Sequence, residues 1–275
     1  MVGVEGGAGS ATAGLITADM RAGYDASAQM WAEGPERAYA VLARALVACS
    51  PVPLAGRRVL DLGAGTGVAG RAALAAGASQ VVAADLAPGM LRRAAANLHP
   101  VAADAAALPF RDGSFDVVVA AFCLNHMPSI VTGLREARRV GAAIAASTFA
   151  AEWSHPAKAA VDEVLGAAGF QPPAWHVALK QDLEPRAGDP EHLAAAAAAA
   201  GYLSVRLRTA EVATGLSTPA QLASWRLGMA HAAPFLSALD EPARETVRRE
   251  AERAVARTGA GPLVVSMLVL VASDR

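Results

Sequence analysis

Three carboxylates follow three successive predicted strands, and the first of them stands just before a run of glycines. The stretch "VLDLGAGTGVAG" (59–70) places Asp61 two positions before Gly63, with further glycines at alternate positions. Asp85 and Asp104 come after the next two apolar runs. Glycines permit a tight turn in which a ligand lies directly against the backbone at a helix N-terminus. Carboxylates beside such a turn would accept hydrogen bonds from that ligand and attract a positive charge on it.

The glycine run fits two cofactor patterns. Counted from Gly65, "GTGVAG" matches the G-x-G-x-x-G of dinucleotide folds, whose turn cradles a pyrophosphate. Counted from Asp61, the run is an acidic residue followed by alternating glycines, and this carboxylate would repel a pyrophosphate but attract an ammonium group. Asp85, about 20 residues after Gly65, suits the ribose hydroxyls of NAD and of adenosyl cofactors alike.

Asp104 adds the element that separates the two patterns. It lies in "AADAAALPF" (102–110), after a short predicted strand, where a carboxylate can accept the adenine amino group. The three acidic residues would then face an amino acid, a ribose and an adenine, with no phosphate to neutralise. That polarity is the pattern of S-adenosylmethionine. An ordinary strand-to-helix turn is the alternative for the glycines alone, because the chain has 25 of them.

Short apolar runs alternate with helical patterns through the first part of the chain. This rhythm predicts a parallel sheet with helices on both faces, an α/β fold of the Rossmann-like, doubly wound kind. Two later runs predict an antiparallel edge hairpin, so that we expect a mostly parallel seven-stranded sheet with an antiparallel last strand. The predicted strands are 58–64, 80–88, 100–103, 115–124, 141–150, 202–212 and 262–272. The main predicted helices of the first part are 67–78, 89–98 and 129–140.

The chain is expected to form one domain over residues 17–275, preceded by a flexible tail at 1–16. Residues 50–150 would form the cofactor-binding core. Helical segments would make a cap over the substrate site at 17–48, 151–200 and 213–260. The alanine-rich run "HLAAAAAAAGY" (192–202) is predicted to be a helix rather than a membrane segment.

Composition narrows the class of partner. With 24 basic and 25 acidic residues, the chain has no charge excess that would favour nucleic acid. Hydrophobic residues reach 54 %, but no run approaches the ~20 apolar residues of a membrane span. Cys49 and Cys123 stand far apart, which is typical of a reduced, cytoplasmic protein, and no spacing indicates a metal site. A homodimer is compatible with the sequence.

Four ordered motifs resemble class I S-adenosylmethionine-dependent methyltransferases. They are "VLDLGAGTG", "VVAADLAPGML", "AADAAALPFRDGSFDVVVAAFCLNHM" and "GLREARRV". The resemblance covers about residues 20–150 and is nearest to the small-molecule branch that includes the ubiquinone/menaquinone-biosynthesis C-methyltransferases. One departure is the turn before the fifth strand, where the family's "PGG" is reduced to Gly141. The resemblance therefore does not predict the substrate-side wall of this strand.

The resemblance implies a role for each matching residue. Backbone contacts would hold the methionine portion, acidic side chains the ribose and adenine, and an N-terminal tyrosine would close over the methionine end. The methionine portion would be lined by Gly63, Ala64, Gly65 and Gly67, with Asp61 beside it and Tyr24 above it. The adenosine would be held by Asp85, Leu86, Met90, Asp104 and Ala105, and Ala121 and Phe122 would lie near the sulfonium. For Tyr24, half-buried packing is the equal alternative.

Candidate chemistry follows the fourth strand in "CLNHMP" (123–128). His126 is the candidate general base, since its unperturbed pKa is near neutral, and Asn125 is the candidate residue for orienting an acceptor. A structural role for His126 is the alternative. His155, His176 and His231, and the aromatic residues Trp153, Trp175, Trp225 and Phe235, would line an apolar acceptor pocket or simply form the core of the cap.

The sequence therefore predicts methyl transfer from S-adenosylmethionine to the O, C or N atom of a small, apolar or aromatic metabolite, in secondary metabolism. Two alternatives stay open. One is a cyclase or isomerase that binds the same cofactor without transferring the methyl group. The other is an NAD(P)-dependent oxidoreductase that uses "GTGVAG".

Overall fold

The computed structural model describes the backbone of residues 7–274 and the side chains of 17–274. Within these residues seven strands form one sheet in the order β3-β2-β1-β4-β5-β7-β6. β7 is antiparallel to both of its neighbours, and the other neighbouring pairs are parallel. The strands are β1 (Arg58–Leu62), β2 (Gln80–Asp85), β3 (Pro100–Ala102), β4 (Val117–Ala121), β5 (Ala143–Phe149), β6 (Ser204–Ala213) and β7 (Val264–Ser273). The predicted fold class and edge hairpin are confirmed.

Helices cover both faces of this sheet. They are α1 (Gly7–Glu33), α2 (Glu36–Val47), α3 (Val68–Ala75), α4 (Pro88–Leu91), α5 (Ile130–Val140), α6 (Pro156–Ala167), α7 (Ala174–Ala178), α8 (Glu184–Gly188), α9 (Pro190–Ala199), α10 (Pro219–Leu227), α11 (Ala233–Ala238) and α12 (Glu241–Thr258). No helix in the described part of the chain is long and apolar enough to cross a membrane.

Alternating strand residues build two cores. Val117 and Val119 of β4 point into one core, which contains side chains from α2, α3, α6, α10 and α12. Val118 and Ala120 point into the other, which contains side chains from α5 and α9. A strand buried on both faces needs an unbroken apolar run, and the sequence of β4 supplies one.

The predicted helix 89–98 is wrong in length. α4 is a single turn that ends at Leu91, and a separate 3-10 turn occupies Ala96–Leu98. Leu98 is fully buried beneath the glycine turn, where a Cβ atom on Gly67 would clash with it. This packing overrides the helical propensity of the alanines in between.

The N-terminal segment also differs from the prediction. α1 begins at Gly7, so that the later part of the predicted tail (1–16) is helical. Residues 1–6 lie outside the described residues. Residues 7–16 include three alanines and no helix-breaking proline, so the predicted helix can extend through them.

Two strand ends turn sharply towards the same edge of the sheet. After β1, Gly63, Gly65 and Gly67 adopt φ values of 67°, 55° and 83°. This left-handed region is open to glycine and strained for other residues. After β4, Phe122 adopts φ 53° without being glycine, and its N–H donates to the carbonyl of Ser147 at 2.9 Å. Such strain in a non-glycine residue is typical of functional sites.

Candidate active site

A cavity of about 430 Å³ lies at the carboxyl ends of the parallel strands, beneath the cap helices. All but one of the residues predicted to hold the cofactor line this cavity. Those that line it are Tyr24, Asp61, Gly63, Ala64, Gly65, Asp85, Leu86, Met90, Asp104, Ala105, Ala121 and Phe122. Gly67 does not line the cavity. It precedes α3 and packs against Leu98, so its role is in the turn rather than at the ligand surface.

Asp85 is held at the end of β2 by two backbone donors. Its Oδ2 accepts from the N–H of Gly65 at 2.7 Å, and its Oδ1 accepts from the N–H of Ala87 at 2.8 Å. Burial raises the pKa of this carboxyl, while the two N–H groups oppose that rise. A carboxylate has about four acceptor sites, so roughly two remain for a ligand with paired hydroxyls such as a ribose.

Asp61 has one satisfied oxygen and one unsatisfied oxygen. Its Oδ2 accepts from the N–H of Gly70 at 2.6 Å, while its buried Oδ1 has no hydrogen-bond partner within the described residues. Burial raises the pKa of Asp61 to about 7. An ammonium group would supply the missing donor and charge.

The same contact weighs against a pyrophosphate. The N–H of Gly70 belongs to the first turn of α3, which is where a dinucleotide fold places phosphate oxygens. Here the carboxylate of Asp61 takes that donor and brings an acidic group to the turn. A Cβ atom on Gly70 would lie 3.0 Å from Oδ2 of Asp61 and 3.2 Å from Cγ1 of Val81. Gly70 is therefore small because a helix packs against the sheet there.

Asp104 lies exposed at the rim of the cavity, and its Oδ1 accepts from the N–H of Ala106 at 2.8 Å. This turn positions Ala105 on the cavity wall. Across the cavity, Met90 is fully buried on the side of the glycine turn, 3.5 Å from where a Cβ atom of Gly65 would stand. The arrangement suits a flat ring held between an apolar floor and a polar rim.

Tyr24 and His126 meet at the cavity wall beside Phe122, a residue predicted to lie near the sulfonium. The Tyr24 hydroxyl lies 2.8 Å from Nε2 of His126, and Nδ1 of His126 lies 3.1 Å from the carbonyl of Phe122. A carbonyl only accepts, so Nδ1 carries the proton and Nε2 accepts from Tyr24. Burial lowers the pKa of His126 to about 4 and raises that of Tyr24. Both groups are neutral at physiological pH.

Asn125 precedes His126 on the 3-10 turn Leu124–His126. Its side chain is buried and lines the cavity, and its Oδ1 has no hydrogen-bond partner among residues 17–274. A buried amide oxygen without a partner costs free energy that a ligand donor would recover.

The far part of the cavity is aromatic. Phe122, Phe149 and Trp153 form a run with ring centroids 4.6 and 4.8 Å apart. Of the aromatic residues and histidines assigned to the pocket or the cap core, those on the cavity wall are Trp153, Trp175, Trp225, His176 and His231. Trp31 and Tyr39 also line it, although the sequence did not single them out.

Two of the predicted pocket residues have structural roles instead. His155 caps α6, where its Nδ1 accepts from the N–H of Ala157 at 3.3 Å. Phe235 packs against Phe170 with the ring centroids 5.4 Å apart. Neither lines the cavity.

Charged cap residues are the part of the site that the sequence did not reveal. Lys158, Lys180, Glu184 and Arg226 all line the cavity. Lys180 and Glu184 form an i,i+4 ion pair that a helical spacing could have indicated. Lys158 and Arg226 come from separate cap helices, so no spacing in the chain could have brought them to this pair. Among the described residues there is no cluster of three or more histidine, cysteine or acidic side chains that could hold a metal ion.

The comparisons with known proteins match the part of the chain that contains the glycine turn. Residues 60–143 match the family model described as a methyltransferase domain. With the sheet order and the carboxylate-flanked glycine turn, this match over part of the chain supports the predicted resemblance to class I S-adenosylmethionine-dependent methyltransferases of the small-molecule branch.

Particular relatives agree with this class. The chain is 41 % identical to malonyl-(acyl-carrier protein) O-methyltransferase of Halorhodospira halophila over 155 residues, 53 % of this chain and 52 % of that protein. It is 41 % identical to demethylmenaquinone methyltransferase of Clavibacter sepedonicus over 128 residues, 44 % of this chain and 50 % of that protein. The match thus spans about half the length of each relative. The solved structure of the 4+2 cyclase SpnF shares the fold, with TM-score 0.51, 18 % identity and coverage of 84 % and 80 % of the two chains.

Proposed function

We propose that this protein transfers the methyl group of S-adenosylmethionine to a small acceptor with an apolar or aromatic body. The observation that carries the proposal is the unpartnered Oδ1 of Asp61 in a cavity that also contains the carboxylate of Asp85. Asp61 suits an ammonium group and Asp85 suits a ribose, and the glycine turn lies between them. An aromatic chamber for an acceptor continues from the same cavity.

The residues present fit the cofactor part by part. Asp61 and the glycine turn would hold the methionine portion, Asp85 and Leu86 the ribose, and Asp104 with Ala105 the adenine. When bound, S-adenosylmethionine supplies a methyl group that is already electrophilic. The chain's contribution is then to align the acceptor and to exclude water from the cavity.

His126 is poorly placed to be a free general base. Its basic nitrogen, Nε2, is occupied by the Tyr24 hydroxyl, and burial lowers its pKa to about 4. Tyr24 and His126 both line the cavity, and His126 fixes the Tyr24 hydroxyl. Asn125, with its open amide oxygen, would orient a donor on the acceptor. These roles need no strong base, which suits an acceptor that is already nucleophilic.

The glycine turn argues against NAD(P), because Asp61 already accepts the Gly70 N–H that a pyrophosphate would use. A cyclase that keeps the methyl group uses the same cofactor contacts, and the likeness to SpnF concerns the fold alone. A role in secondary metabolism, a cytoplasmic location and a homodimer stay predictions.

The proposal is tested by product analysis. The protein is incubated with methyl-labelled S-adenosylmethionine and a small-molecule extract of its source organism, with Asp85→Asn as the matched control. We expect a labelled small product together with S-adenosylhomocysteine, both lost in the control. A new product that carries no label and forms without S-adenosylhomocysteine would establish the cyclase instead.

A further inference from the structure

Four basic side chains from the cap line the aromatic end of the cavity. They are Lys158 of α6, His176 of α7, Arg226 of α10 and His231, and we call them the basic cluster. The strand ends that form the cofactor site contribute none of them. The basic cluster therefore belongs to the acceptor side.

Arg226 is the rigid member of the basic cluster. It is only 5 % exposed, and its Nε and Nη2 each donate to the Asp162 carboxylate at 2.7 Å. This paired contact fixes the guanidinium plane. The remaining nitrogen, Nη1, makes no hydrogen bond within the described residues, so Arg226 can still donate to a ligand.

His176 and His231 stack face to face, with ring centroids 3.8 Å apart and 5° between the planes. Neither imidazole hydrogen-bonds to another residue in the described part of the chain, and His176 Nδ1 and His231 Nε2 are fully buried. Burial, followed by the charge of Arg226, lowers the pKa of both; that of His176 falls to about 3. Each neutral ring carries one N–H, which can donate to a ligand in the cavity.

Lys158 is the charged member of the basic cluster that has no ion-pair partner among the described residues. Its Nζ lies 4.8 Å from the ring centroid of Trp153 and, among residues 17–274, has no carboxylate partner and no hydrogen bond. Burial lowers the pKa of Lys158 to about 8, so the amine is still mostly protonated at neutral pH.

The charges around the basic cluster leave one positive charge over. Arg226 is paired with Asp162, and Lys180 is paired with Glu184, whose two oxygens lie 2.6 Å from Nζ. His176 and His231 are neutral. Within the basic cluster Lys158 alone is uncompensated, so this end of the cavity, away from the carboxylates of the cofactor part, is complementary to one negative charge surrounded by N–H donors.

We propose that the methyl acceptor carries a carboxylate bound by Lys158, Arg226 and the stacked histidines, with its apolar body lying along Trp153 and Phe149. This inference rests on the proposed function, because it concerns the acceptor of that reaction. In this proposal the carboxylate serves as an anchor, because the basic cluster comes from the cap helices whereas the predicted sulfonium site comes from the strand ends. Binding energy from this remote group would align the reacting atom.

The test is calorimetry with matched probes on protein saturated with S-adenosylhomocysteine. The probes are 2-naphthoate, its neutral amide 2-naphthamide, and 2-naphthyl phosphate. We expect the carboxylate to bind at least about tenfold more tightly than the amide, the difference made by a hydrogen-bonded charge. This comparison uses the unaltered protein, so it does not depend on whether a variant folds.

Lys158→Met then locates the effect. The preference for 2-naphthoate over 2-naphthamide should fall by about tenfold, while the affinity for S-adenosylhomocysteine stays the same. Lys158→Gln repeats the test with a polar replacement. Arg249→Met is the control, because it removes an equal charge from an exposed position on α12 and should leave the preference intact.

The outcomes separate the two proposals. Equal affinity for 2-naphthoate and 2-naphthamide, or a preference that survives Lys158→Met, overturns the carboxylate anchor. Tighter binding of 2-naphthyl phosphate than of 2-naphthoate overturns the assignment to a single negative charge. Failure of S-adenosylhomocysteine itself to bind overturns the proposed function, and the probe comparison can still be made on the free protein.

Discussion

The Tyr24 hydroxyl on α1 lies 2.8 Å from Nε2 of His126, on a turn that follows β4 more than a hundred residues later in the chain. The contact closes α1 over the carboxyl edge of the sheet. It also occupies the nitrogen that the sequence assigned to a general base. The pair therefore acts as one neutral unit, in which His126 positions the hydroxyl that faces the cavity.

Tyr24→Phe should lower the free energy of unfolding by about 1 kcal/mol, because it removes this hydrogen bond and leaves Nε2 of His126 buried without a donor. Urea unfolding of the free protein measures the change. Tyr202→Phe is the matched control, since the Tyr202 hydroxyl is buried without a hydrogen-bond partner among the described residues. Its removal should leave the stability unchanged or raise it. Equal losses in the two variants would show that the Tyr24–His126 contact contributes nothing.

Acid should destabilise the protein through its buried histidines. The pKa of His126 is lowered to about 4, against about 6.5 in the unfolded chain, so the unfolded state takes up protons first as the pH falls. His176 acts in the same direction, whereas Asp61, with its raised pKa, acts in the opposite one. The free energy of unfolding should therefore fall between pH 6.5 and 5, and less steeply in His126→Gln.

The same pKa predicts the pH profile of turnover. His126 stays neutral from about pH 5 upwards, so it should add no titration near pH 6.5 to the rate. A kinetic pKa near 6.5 that disappears in His126→Gln would show that His126 is a free base after all.

Asp61→Asn should raise the stability of the free protein and lower its affinity for the cofactor. Burial raises the pKa of Asp61 to about 7, so the ionised carboxylate destabilises the free protein increasingly as the pH rises from about 4 to 7, and fully above that. The variant should therefore unfold at a higher temperature at pH 8, with no gain near pH 4. Its affinity for S-adenosylhomocysteine should fall by about tenfold, because the ammonium group loses a charged acceptor.

Asp104→Asn is the control for this exchange, since Asp104 is exposed at the rim and its replacement should leave the melting temperature unchanged. A loss of stability in Asp61→Asn at pH 8 would show that Asp61 is a structural acceptor for Gly70 and nothing more.

Gly63→Ala should be far more harmful than the positive φ alone explains. A Cβ atom on Gly63 would clash with the Cys123 side chain, whereas Gly113 has a similar φ of 64° and no neighbour within 4 Å. Gly113→Ala should cost about 1–2 kcal/mol of unfolding free energy from strain alone. Gly63→Ala should cost more, and it should also weaken S-adenosylhomocysteine binding. Equal costs in urea unfolding would mean that the turn is loosely packed.

The meeting of the candidate cofactor residues at one edge of the sheet could be predicted from sequence, because these residues lie at strand ends. Asp61, Asp85 and Asp104 each end or follow an apolar run, and parallel strands bring those ends to one edge. The wrong helix 89–98 shows the limit, since tertiary packing of Leu98 decides where that helix stops.

The cap could not be predicted in the same way. Arg226 meets Asp162, and His176 stacks on His231, across long separations in the chain with no shared motif. Periodicity shows that these segments are helical, but it does not show which faces meet. Which residues lie near Lys158 in the cavity is seen only in the folded structure.

The central claim is that the carboxylate-flanked glycine turn holds an adenosyl amino acid rather than a dinucleotide. Titration calorimetry with S-adenosylhomocysteine and with NAD, on the unaltered protein and on Asp85→Asn, tests it most directly. We predict binding of S-adenosylhomocysteine, little or no binding of NAD, and a loss of about 1–3 kcal/mol of S-adenosylhomocysteine binding energy in the variant. Tighter binding of NAD, or an unchanged affinity for S-adenosylhomocysteine in Asp85→Asn, would contradict it.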